Sequence, residues 1–119
     1  MIKSINKVLL VGNCGSDPET KTFTGGSKTS FSFATNSSYK DKKTDEWVKQ
    51  TQWHNIVAWG KVSEQCNDIK KGQTLRIEGR VEYRNWTDKD GNKKYITEII
   101  ASNITEAKEN EPDENIFDN

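Results

Sequence analysis

The sequence is poor in the side chains that most catalytic and metal sites use. It holds one histidine, His54, two cysteines, Cys14 and Cys66, two prolines and one methionine in 119 residues. A closed zinc site needs about four nitrogen or sulfur ligands, which this inventory does not supply. Gly12 and Gly15 lack the third glycine and following helix of a phosphate-cradling loop, no serine sits in a nucleophile elbow, and no acids pair at helical spacing. No catalytic residue, metal ligand or cofactor is therefore expected. No apolar run approaches the roughly 18 residues that cross a bilayer. The run at 8–11 is too short for a secretory segment, so the expectation is a cytoplasmic chain, with no membrane partner, that keeps its cysteines as free thiols. Without secretion, the glycosylation-like triplets at Asn36, Asn85 and Asn103 are chance matches.

A charge of one sign is also missing, since 18 basic side chains stand against 18 acidic ones. The balance hides a split. Residues 1–104 carry 17 Lys or Arg against 12 Asp or Glu, whereas residues 105–119 carry Lys108 against six acids. Leu, Ile, Val and Phe make up just under a fifth of the chain, which suits a small core with much polar surface. The segment TEAKENEPDENIFDN has no helical or strand period and too few apolar groups to offset chain entropy. We expect two parts, a folded body at 1–104 and a disordered acidic tail at 105–119. Within the tail, Ile116 and Phe117 form an apolar pair, either a partner-docking motif or incidental.

The body reads as strands. Residues 8–11 are a short apolar run closed by Gly12 and Asn13, and Asp17 with Pro18 marks a turn. Residues 21–24 and 28–35 flank Gly25 and Gly26 as a hairpin, and the polar stretch 36–44 reads as a long mobile loop. Across 50–59, Trp53, Asn55, Val57 and Trp59 alternate with His54, Ile56 and Ala58. At 61–71 the period changes to helical, with Val62, Cys66 and Ile69 on one side and Gly72 as a stop. Residues 74–86 form a long strand bending at Gly79, Asp90 and Gly91 give a hairpin turn, and 95–104 return. About five strands and one inserted helix suggest an all-β OB-type chain, a five-stranded Greek-key barrel with one short helix. A β-sandwich is the alternative, and the helix counts against it.

The richest constellation is aromatic and basic. Trp53, Trp59, Trp86 and Tyr39 lie near Lys40, Lys42, Lys43, Lys49, Lys61 and Arg84 in the sequence. Aromatic faces stack bases at about 1–3 kcal/mol each whatever the base, and cations follow the phosphates. That pairing suits single strands, because bases in a duplex already stack on one another. Core packing is the competing reading for any one tryptophan. It does not explain Trp86, on the charged parity of its strand, or Tyr39, in a polar stretch. His54 shares the parity of Ile56 and Ala58, so it reads as a packing or interface residue and not a base. Asp88 and Asp90 read as turn-capping acids and not cation ligands.

The segments NKVLLVGNCGSDPE, SFSFATNSSYKDK, QTQWHNIVAWGK and RIEGRVEYRNWTDKDGNKKYITEI resemble, in order and spacing, the bacterial-type single-stranded DNA-binding proteins over about residues 5–100. The resemblance implies an OB-fold homotetramer that wraps single-stranded DNA in replication, recombination and repair, with no enzymatic activity. It implies base stacking at Tyr39, Trp53, Trp59 and Trp86, and a subunit-interface role for His54. Tyr39 and Trp59 stand where a different aromatic is common in the family. The family's long linker is almost absent here, and Phe117 lies two residues before the end of the sequence, so docking of replication or repair proteins on the acidic tail is in question. The brevity suggests a phage- or plasmid-encoded form. Two alternatives stay open: an accessory primosomal module that contacts DNA and a replication protein, and a nuclease on the same barrel, for which no acid cluster can be assembled.

Overall fold

The computed structural model describes residues 2–107. Six strands and one helix follow in the order β1 (Val8–Cys14), β2 (Glu19–Phe23), β3 (Gly26–Lys40), β4 (Trp47–Trp59), α1 (Gly60–Gln65), β5 (Thr74–Thr87) and β6 (Lys93–Glu106). Hydrogen bonding runs β1-β5-β6-β4-β3-β2, and β1 also pairs β3 through Asn13↔Ala34 and Cys14↔Phe33. That last pairing closes β1, β5, β6, β4 and β3 into a five-stranded barrel. The OB-type barrel with one short helix is therefore the fold, and β2 is an extra edge strand paired only to β3.

Alternation decides what fills the barrel. Phe31, Phe33, Ile56 and Ala58 of β3 and β4 meet Leu75, Ile77, Ile99, Ala101 and Ile104 in one buried cluster. Val62 of helix α1 and Cys66 just after it plug the end of the barrel, and Thr29 Oγ1 lies 2.6 Å from Ser63 Oγ where both side chains are buried. Cys14 and Cys66 are free and buried, as expected of reduced thiols. The bend expected at Gly79 is a bulge between Glu78 and Gly79. A Cβ there would run into the Ile100 backbone, so the close approach of β5 to β6 requires glycine.

Several boundaries differ from the sequence reading. The helix expected over 61–71 ends at Gln65, and the chain continues through tight turns such as Ile69 N–H to Cys66 O at 3.1 Å. Asn67 and Asp68 are weak helix formers, yet Ile69 keeps its core position. The stretch 36–44 is not a long loop, because β3 runs to Lys40 and β4 starts at Trp47. Ladder hydrogen bonds hold this ribbon, and exposed polar side chains give no periodic sign of it. β6 likewise continues past 104 to Glu106, and buried Ala107 donates its N–H to Thr74 O at 3.0 Å. Ile116 and Phe117 lie outside the described residues.

Candidate nucleic-acid interface

The β3–β4 ladder runs without a register break from Lys28↔Trp59 to Lys40↔Trp47. Directly paired residues share a face, and faces alternate along each strand. One face is therefore Trp47, Lys49, Thr51, Trp53, Asn55, Val57 and Trp59 with Lys40 and Lys28 across from them. The other carries Phe31, Phe33, His54 and Ile56 into the barrel.

Trp53 and Trp59 face outward and remain 64% and 48% exposed, which removes the core-packing reading for both. The Trp53 ring lies against Gly15, where any Cβ would collide with it. Trp59 is held at the end of β4 by an edge-to-face contact with Phe23 at 6.2 Å and by Lys28 Nζ over its ring at 5.3 Å. The β5–β6 hairpin supplies the opposite wall, where Trp86 is 43% exposed and the Arg84 guanidinium sits 5.0 Å over its ring. Glu98, nearly buried, accepts from Arg84 Nε and Nη2 at 3.1 and 3.2 Å, and this bidentate pair holds the Arg84 pKa above its ordinary value. Arg84 is thus positioned on Trp86 with its charge largely answered by Glu98. Lys28 and Arg84, the cations set on Trp59 and Trp86, also line a groove of ≈ 360 Å³ together with Asn55, Glu98 and the acids Asp17 and Glu19.

The other expected residues are more scattered. Tyr39 is exposed, but its register opposite Val48 places it on the face of Phe33 and His54, away from the tryptophans. Lys49 shares the Trp53 face, while Lys40 is paired to Asp45 at 3.3 Å. Lys42 and Lys43 lie in the hairpin turn, where Asp41 Oδ1 accepts from the Lys43 N–H at 2.7 Å. Lys61 lines a separate hollow between α1 and the β2–β3 hairpin. His54 is half-buried with Nε2 2.9 Å from Thr35 Oγ1, and burial lowers its pKa. Asp88 folds back on its turn, its Oδ1 accepting from the Asp90 and Asn92 N–H groups at 3.0 and 2.9 Å.

Sequence reasoning missed Trp47, Lys28, Phe23 and Glu98. Trp47 has the parity of Trp53 and Trp59 and was legible once the strand was extended to it. Lys28 and Glu98 needed the cross-strand register.

The match to the single-strand binding protein family extends over residues 5–106. The chain belongs to that family. It is 43% identical over 107 residues to the Single-stranded DNA-binding protein 1 of Chlorobaculum tepidum, covering 87% of this chain and 65% of that relative's length. Among solved structures it is similar to the Plasmodium falciparum SSB complex with ssDNA, with TM-score 0.81, 31% identity, and 91% of this chain and 99% of that one covered. It is also similar to a deletion mutant of the single-stranded DNA binding protein from Thermus aquaticus, with TM-score 0.74, 28% identity, and 89% and 52% covered. The family resemblance and the barrel expected from the sequence are therefore borne out. The residues that line the groove fall inside the matched span.

Proposed function

We propose that this chain binds single-stranded DNA without regard to sequence, by stacking bases on Trp53, Trp59 and Trp86 and neutralising phosphates with Lys28, Lys49 and the lysines of the hairpin turn. The observation that carries this reading is three exposed indoles, two of them with a cation set against the ring, Lys28 on Trp59 and Arg84 on Trp86. Every base has a π-face, so such a surface does not discriminate sequence, and a duplex offers it no free faces. Family membership and the SSB–ssDNA neighbour support the same substrate. The role is binding, without catalysis, in protecting single strands during replication, recombination and repair.

The reading extends to a cytoplasmic homotetramer with His54 at a subunit contact. In support, Tyr83 and Tyr95 leave an exposed aromatic face on the β5–β6 hairpin opposite Trp86, and Ile2 and Ile5 are also exposed. Among the described residues no helix is long and apolar enough to cross a membrane. Tyr39 is proposed as a fourth stacking residue reached from the other face of its hairpin, with Lys40, Lys42, Lys43, Lys61 and Arg84 as flanking cations. Ile116 and Phe117 are proposed to dock replication or repair proteins.

A tryptophan-fluorescence titration tests the function. Long oligo-dT should quench strongly and saturate at tens of nucleotides per tetramer, since one OB fold covers about 4–16 nucleotides, and duplex of equal length should not quench. Equal response to duplex, or no quenching, would overturn the reading.

A further inference from the structure

Trp47 is the most exposed tryptophan of the chain, at 72%, and neither the stacking set above nor the core uses it. It opens β4, on the same face as Trp53 and Trp59. The three indoles recur at intervals of six residues, about 20 Å each at ~3.3 Å per strand residue. Between Trp47 and Trp53 that face carries only Lys49 and Thr51 of β4 and Ser38 and Asn36 of β3, with Lys40 directly across from Trp47. An indole left out of the fold, in line with two others and among small polar and basic neighbours, has no packing role to explain it.

The charges at the tip agree. Of its acids, Asp45 is paired with Lys40 and Asp41 is turned onto the backbone N–H groups of Lys43 and Thr44, leaving Glu46. Among the described residues Lys42, Lys43 and Lys49 have no ion pair. The turn is fixed by Asp41 N–H to Glu46 O and Asp45 N–H to Asp41 O, both 2.8 Å, so the tip presents Trp47 from a built ribbon.

We propose that Trp47 is a further base-stacking residue, extending the single-strand path of the groove along the β3–β4 ribbon to its outer end. Its occupant is the same strand that stacks on Trp53 and Trp59, so the inference rests on the function proposed above. Phosphates between the Trp53 and Trp47 stacks pass Lys49, and those beyond Trp47 pass Lys42 and Lys43.

The test compares the full wild-type chain with Trp47→Ala and Trp47→Phe in binding long oligo-dT at one fixed salt concentration, with mass followed by light scattering. The alanine variant should lose about fivefold or more in affinity, the phenylalanine variant should stay within about twofold of wild type, and the mass should not change. Wild-type binding with no loss in Trp47→Ala overturns this inference alone. A loss of affinity accompanied by a fall in mass also overturns it, by making Trp47 a subunit contact. Failure of the wild-type chain to bind oligo-dT overturns the underlying function and this inference with it.

Discussion

Phe33 and Tyr39 lie six residues apart on one strand and on one face of it, yet Phe33 is fully buried and Tyr39 is exposed. The strand does not change between them; what changes is the second layer. Around Phe33 the barrel closes and supplies Ile56, Leu75 and Ile77 as neighbours. Beyond His54 and Thr35 the β3–β4 ladder continues as a two-stranded ribbon past the barrel wall. Alternation therefore sorts faces, and only closure sorts inside from outside. Aromatic residues at the barrel end stabilise the fold, while those on the outer face and the ribbon contribute little to it and are available for stacking.

The sharpest way to break this contrast is to truncate each kind of aromatic. Phe33→Ala should cost about 3–5 kcal/mol of stability by denaturant unfolding, because it removes a fully buried ring from the core cluster and leaves a cavity. A cost below about 1 kcal/mol would mean that the barrel end is not the stabilising region. Trp53→Ala should do the reverse, leaving stability within about 1 kcal/mol while oligo-dT affinity falls by about 1–3 kcal/mol in a binding titration. Glu98→Gln sharpens the account of the second wall. Losing the carboxylate releases Arg84 to a phosphate and should steepen log K against log salt by up to ~0.7; an unchanged slope would show that Arg84 already contacts DNA while paired.

Smaller effects probe the barrel through its titrating groups. Burial raises the Cys14 pKa and pushes Cys66 up to about 11, so both thiols are protonated and shielded at neutral pH. An aromatic disulfide reagent should label neither in the native protein and both after denaturation. His54 is expected to give the smallest signal. Its folded pKa lies below the ordinary 6.5 through burial, so its contribution to stability is complete above pH 6.5 and is lost as pH falls through the lowered value. Thermal midpoints from neutral to mildly acidic pH should drop more for wild type than for His54→Gln, and parallel curves would remove His54 from the acid response.

How much was legible follows the same division. Within the barrel, period two at Phe31 and Phe33, the parity of Trp53 and Trp59 against Ile56 and Ala58, and the Gly79 bend all leave signs in the sequence because one face is apolar. In the ribbon only Val48, opposite Tyr39, is aliphatic, so residues 36–40 carry no apolar period and resemble a loop in the sequence. The missing period also hides Trp47, whose parity matches that of Trp53 and Trp59. The Arg84–Glu98 pair depends on how β5 and β6 register across the Gly79 bulge, and no local pattern encodes that. Tyr39 shows the converse, since its aromatic character was evident but its face was not.

The most direct test of this division is a thermal melt of the Trp53→Ala/Trp86→Ala double variant with and without saturating oligo-dT. A ligand that binds only the folded state raises the midpoint with affinity, so one experiment reads both properties. The predicted result is a midpoint within a few degrees of wild type without DNA and a largely lost DNA-induced shift. A midpoint that collapses without DNA, or a DNA-induced shift as large as that of wild type, would contradict the assignment of these indoles to binding and not to the fold.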